Sequence, residues 1–112
     1  MITYNFHITN VNRLIIYIDE DNNTYENVIT KIHFYYEGID SDDNTKAIYN
    51  SSVNLSRPTS STNYTKYSDL TEDNLISWIT QLISNNELEL MQTVIKNNIL
   101  DKQTQGTLPW LT

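Results

Sequence analysis

The side chains that could do chemistry in this chain are few, and their spacing argues against a catalytic or metal centre. His7 and His33 are the only two histidines. Imidazoles serve metals and proton transfer, but each of these falls in a strand-like pattern at an outward or edge position. No ligand spacing joins them to a nearby acid, so both read as surface groups. Asp40, Asp42 and Asp43 with Asn44 have the composition of a calcium loop. The loop pattern also needs a glycine at its sixth position and a glutamate at its twelfth, and neither is present. With only two glycines, Gly38 and Gly106, the chain has no Gly-rich phosphate loop. It has no cysteine, which excludes disulfides and thiolate sites. No serine sits in an elbow motif. Glu72 and Asp73 are explained by helix capping better than by acid-base catalysis. The sequence predicts no catalytic residue, no cofactor and no metal site.

Binding is the chemistry left. Gly106-Thr107-Leu108-Pro109-Trp110-Leu111-Thr112 ends the sequence in a turn glycine, a stiff proline and an indole, where chain ends are usually polar and frayed. Leu108, Pro109, Trp110 and Leu111 are therefore interface candidates. The tail is expected to dock on its own domain or on a neighbouring subunit, with the first narrowly favoured. Pro109 lowers the entropy cost of fixing it, and Trp is enriched at interface hot spots. Trp78 lies beside an apolar helical stripe and reads as core.

The elements that must position these groups fall into two halves. Residues 1–55 read as a β-meander. Tyr4, Phe6 and Ile8 alternate with polar residues, and Arg13 to Ile18 is a denser, β-branched run. Asp19 to Asn23 is a turn cluster. In Val28 to Glu37, Ile32, Phe34 and Tyr36 share one face while Lys31, His33 and Tyr35 share the other. His33 and Tyr35 are accordingly placed on an outer sheet face as further interface candidates. After an acidic turn from Gly38 to Asn44, Lys46 to Leu55 puts Ala47, Tyr49, Val53 and Leu55 on one face. Residues 56–66 read as a loop, with its Ser- and Thr-rich part up to Asn63 the most mobile segment.

Residues 67–103 read as a helical hairpin. Thr71 is a good N-cap, and Glu72 and Asp73 follow in the first turn. Leu75, Ile76, Ile79, Leu82 and Ile83 form one stripe; Leu88, Met91, Val94, Ile95 and Ile99 form the next. Asn85-Asn86 is expected to stop the first helix and cap the second. Residues 104–112 are the docking tail. The fold class expected is α+β in one domain spanning 1–112: a three- or four-stranded antiparallel meander covered on one face by the helical hairpin.

The net charge is −7 across 112 residues. An acidic surface repels phosphate, so nucleic acid is not an expected partner. The plainer reading is a solvated surface that keeps the protein in solution; a basic-faced protein partner also fits. No apolar run reaches membrane-span length, and Met1-Ile2-Thr3-Tyr4 lacks the start of a signal peptide. No membrane partner is expected. Eight tyrosines suit half-exposed sheets and interfaces.

Several motifs resemble those of a family of short, functionally uncharacterised proteins encoded by tailed bacteriophages. They are Ile29-Thr30-Lys31-Ile32-His33-Phe34, Tyr49-Asn50-Ser51-Ser52-Val53, the helix start Tyr67 to Trp78 containing Leu70-Thr71-Glu72, and Gly106-Thr107-Leu108-Pro109-Trp110. The resemblance runs from about Phe6 to Trp110. Phe34 stands where that family commonly has Trp, Asn50 where it has Gly, and Leu111-Thr112 extend past its usual end. The resemblance supplies a phage source and no activity. Together with the absence of catalytic groups it implies a non-enzymatic virion structural or accessory protein, a capsid decoration or tail-associated subunit. Its expected partners are other phage structural proteins or copies of itself, in multiple copies per particle, after synthesis in the host cytoplasm. The alternative is a non-virion phage protein acting in the infected cell as an acidic inhibitor or assembly factor.

Overall fold

Length in one dimension dominates this computed structural model, which describes residues 1–58 and 64–106. It measures 70 × 26 × 21 Å, with a radius of gyration of 19.2 Å. A compact chain of this size would have about 13 Å. The excess comes from one long antiparallel hairpin. Its strands are β1, Ile2–Ile18, and β2, Thr24–Asp40, each 17 residues. The third strand, β3, is Lys46–Asn54. The sheet is antiparallel in the order β1-β2-β3, so among the described residues β1 is an edge strand along its whole length.

β3 pairs only with Lys31 to Ile39 of β2. From Thr24 to Thr30, the strand partner of β2 among the described residues is β1, with Leu55 N–H bonding the Thr30 carbonyl at the junction. A two-stranded ribbon of about 23 Å therefore projects beyond the three-stranded body.

The two runs that the sequence left open as separate strands are one strand, which settles the count at three. The alternation breaks between them because of compensating β-bulges. Ile8 faces Phe34 and Asn10 faces His33, leaving Thr9 as an extra residue in β1. Asn12 faces Lys31 and Arg13 faces Ile29, leaving Thr30 as an extra residue in β2. Each bulge switches the alternation of one strand. The two switches keep the inward faces aligned: Ile2, Tyr4, Phe6, Ile8 and Val11 on β1 lie with Ile29, Ile32, Phe34 and Tyr36 on β2.

The turns are built by acids and by asparagines in the left-handed region. Asn22 has φ 63° and Asn44 has φ 61°. Asp19 N–H donates to the Asn23 carbonyl at 3.0 Å, and Asn22 N–H to the Asp19 carbonyl at 3.1 Å. This is a turn followed by a left-handed residue, a common three-residue hairpin loop. Asp19 Oδ1 accepts from the Asp21 and Asn23 N–H groups, both at 2.9 Å.

Two helices follow, as the fold class requires. α1 is Glu72–Leu82 and α2 is Asn85–Gln103. Thr71 caps α1 in a reciprocal box with Asn74, each side chain bonding the other's backbone N–H. The second cap is Ser84, which accepts from Glu87 N–H at 3.1 Å; Ile83 is the C-cap of α1. The expected Asn85-Asn86 break is corrected accordingly: Asn85 already begins α2, because the serine hydroxyl holds the free N–H first. Each helix takes the sheet as its main partner, α1 on β1 and α2 on β2 and β3.

Ile79, Met91, Ile95 and Ile99 enter the core formed by Ile32, Phe34 and Tyr36. Trp78 packs against that core from its margin and stays half-buried, while its neighbour Ile79 is fully buried. α2 comes close to the sheet backbone at Gly38. A Cβ there would overlap Ile95 Cγ2 and lie 3.2 Å from Ile2 Cγ2 and 3.3 Å from Tyr4 Cε1.

Candidate interaction surface

The outer sheet face and the ribbon are the surfaces that could bind. The period-two pattern of β2 puts Lys31, His33, Tyr35 and Glu37 outward and half-buried, as the sequence reading placed His33 and Tyr35. Tyr35 stacks on His7 across the strands, ring centroids 4.8 Å apart. His7 Nε2 lies 3.3 Å from Glu37 Oε1, a close approach without hydrogen-bond geometry. His33 Nε2 bonds Asn12 Oδ1 at 2.7 Å. His33 is thus hydrogen-bonded across the strands, whereas His7 meets its cross-strand neighbour by ring stacking. Among the described residues, no group of three or more His, Asp or Glu is placed to hold a metal. Leu108, Pro109, Trp110 and Leu111 lie outside the described residues, as do residues 59–63 of the stretch from Ser56 to Asn63 expected to be mobile.

The two acidic turns have distinct electrostatics. Burial of Asp19 opposes its ionisation, but it is outweighed. The Asn23 backbone and side chain, the Tyr25 hydroxyl and the Asp21 N–H all donate to its carboxylate and hold its pKa below the ordinary range. At the other end of the molecule, the Asp42 N–H and the Gln103 side chain lower the pKa of Asp40. The Thr45 side chain and backbone lower that of Asp43. Gln103 Nε2 reaches Asp40 Oδ2 at 2.8 Å, which ties the end of α2 to the β2–β3 turn. These acids are spent on turn geometry, so neither cluster is a preformed cation site.

The ribbon carries the surface that the sequence did not single out. Its inward face is covered by the segments on either side of residues 59–63. Pro58 is buried, Tyr64 packs edge-on to Tyr25 at 5.1 Å and donates to the Glu26 carbonyl, and Arg13 lies 5.2 Å over the Tyr67 ring. The β1 side is bare: Ile15 is 70 % exposed, Ile16 60 % and Ile18 58 %. Ile16 and Ile18 on one face and Ile15 on the other line an edge whose outward backbone groups have no partner among the described residues, an apolar strip along the strand. The signal was present in the sequence. A run of consecutive apolar residues in a two-sided strand cannot turn every side chain toward one core. A cleft beside the ribbon mixes apolar walls, Val28, Leu55, Leu70 and Trp78, with the polar Ser56, Tyr64 and Thr65.

Among the described residues no helix is long and apolar enough to cross a membrane. Comparison with curated proteins and with solved structures gives no match. A family model matches residues 1–110, spanning the strands, both helices and the Pro-Trp motif. The chain belongs to the family described as a domain of unknown function, DUF7936.

Proposed function

We propose that this protein is a non-enzymatic structural or accessory subunit of a tailed-phage particle, a capsid decoration or tail-associated protein that works by protein–protein binding. The observation that carries the reading is the projecting ribbon, where Ile15, Ile16 and Ile18 are each more than half exposed on an open strand edge. Such a strip is disfavoured in water and gains by burial against protein, at roughly 25 cal/mol per Å² of apolar surface covered. The resemblance of the Leu70-Thr71-Glu72 helix start, Trp78 and the Pro109-Trp110 motif to tailed-phage proteins supports the setting. The test is mass spectrometry of purified particles of a phage encoding this chain. Many copies per particle are expected, and reproducible absence from intact particles refutes the reading.

A second reading, an acidic inhibitor or assembly factor in the infected cell, is favoured by the net charge of −7. That charge suits a basic-faced partner. Capture of such a partner from infected cells, with the protein absent from particles, would decide for it.

A further inference from the structure

We infer that a second copy of this chain pairs with β1 along its open edge, antiparallel and two-fold symmetric about Ile16. The inference rests on the reading of the ribbon as a contact surface, though not on the virion setting. The backbone sets the register. Asp19 N–H points into the hairpin, where it bonds the Asn23 carbonyl. Inward and outward backbone groups alternate along an antiparallel strand. Tyr17 and Ile15 therefore also turn their N–H and C=O toward β2, while Ile18, Ile16 and Leu14 turn theirs to the open edge. A two-fold axis at Ile16 makes Ile16 a hydrogen-bonded pair with itself and pairs Leu14 with the second copy's Ile18. All the outward groups of this stretch are then used, and no other axis within it pairs Leu14, Ile16 and Ile18 completely.

The side chains agree with that register. On one face Ile16 meets Ile16 and Leu14 meets Ile18. On the other, Ile15 meets Tyr17, and Arg13 meets the second copy's acidic tip, Asp19-Glu20-Asp21. Apolar and opposite-charge pairs are the stabilising cross-strand pairs. The arrangement also answers the objection that an acidic chain should repel itself. The two Asp19 residues are offset by six positions, about 20 Å along the strands. That exceeds the screening length of about 8 Å at physiological salt, whereas each tip lies beside an arginine. The two bulges lie at Thr9 and Thr30, outside the paired segment, and the left-handed Asn27, φ 54°, lies on the β2 side of Ile15, away from the open edge.

Sedimentation equilibrium of the full chain, from low micromolar to submillimolar concentration, is the first arm of the test. A monomer–dimer equilibrium is expected, with Ile16→Lys weakening it by more than about tenfold. The second arm fixes the register, using the natural lack of cysteine. Ile16→Cys brings two thiols onto Cα positions about 5.5 Å apart, within disulfide reach. Ile18→Cys leaves them about 14 Å apart, beyond it. Rapid oxidation of the first variant to a covalent dimer, with the second remaining monomeric under the same conditions, supports the inference. A chain that stays monomeric throughout, a dimer indifferent to Ile16→Lys, or equal cross-linking of both cysteine variants overturns it. Circular dichroism of each variant confirms the fold, and the cysteine pair decides even if Ile16→Lys does not fold. A monomer that is still found in particles overturns the second-copy contact and leaves the virion reading intact. Absence from particles with a register-specific dimer does the reverse.

Discussion

Gly38→Ala is the sharpest probe of how α2 sits on the sheet. The added methyl would overlap Ile95 Cγ2 and press on Ile2 and Tyr4. Ordinary carbon contacts lie at about 3.5–4.0 Å, so something must move by roughly an ångström. Ile95 is fully buried and cannot swing into solvent. Overpacking of this kind costs about 1–3 kcal/mol. The φ of Gly38 is ordinary, so the substitution also removes unfolded-state freedom, a gain of about 0.4–1 kcal/mol. The net expectation is a loss of about 1–2 kcal/mol. With a urea m-value near 1.5 kcal/mol/M, the unfolding midpoint falls by about 1 M while m is unchanged. Ile95→Ala alone should lose about 2–5 kcal/mol through its cavity. In Gly38→Ala/Ile95→Ala the new methyl enters that cavity, so the double variant should lose about 1–2 kcal/mol less than the sum of the singles. A Gly38→Ala protein as stable as the parent, or singles that add to within about 0.5 kcal/mol, would refute the close approach.

Phe34→Ala, at the centre of the core, should cost about 3–5 kcal/mol in the same urea assay. Trp78→Ala should cost less than Phe34→Ala because the indole is only half-buried. Thr71→Ala removes the capping box of α1 and should lower stability by about 1 kcal/mol, with helix loss visible by circular dichroism. Asp19 has a folded-state pKa below its ordinary value. Its carboxylate therefore stabilises the fold above about pH 4, and that contribution disappears as pH falls through the lowered folded value. Asp19→Asn should be less stable than the parent at neutral pH and converge with it in strong acid, as read by urea midpoints across pH.

Much of the body was legible because one face of it is buried. Ile32, Phe34 and Tyr36 alternate strictly with His33 and Tyr35, and the sheet reproduces that division. The Thr71 cap was legible because the orphan N–H groups of a helix start demand such a side chain. The continuity of β1 was hidden by the extra residue at Thr9. Period-two reasoning assumes one residue per step, and a bulge breaks it without any distinctive composition. The cap of α2 was displaced from Asn85 to Ser84 because either residue can accept the same bond. Half of the candidate surface was visible in His33 and Tyr35. The strip at Ile15, Ile16 and Ile18 was hidden because a β-branched run reads equally well as a strand buried on both faces. Only the absence of β3 and of both helices from that end of the hairpin exposes it.

The paired bulges also constrain how the length of this chain can change. Each extra residue stands outside the β1–β2 pairing: Ile8 with Phe34 and Asn10 with His33 flank Thr9, and Asn12 with Lys31 and Arg13 with Ile29 flank Thr30. Deleting either one straightens its strand and leaves the pairs and the inward faces on both sides as they are. A residue deleted anywhere else in the hairpin instead slips the pairs beyond it and sends side chains to the wrong face. In descendants of this chain, single-residue losses within the hairpin should therefore gather at Thr9 and Thr30, and the exposed strip should survive them.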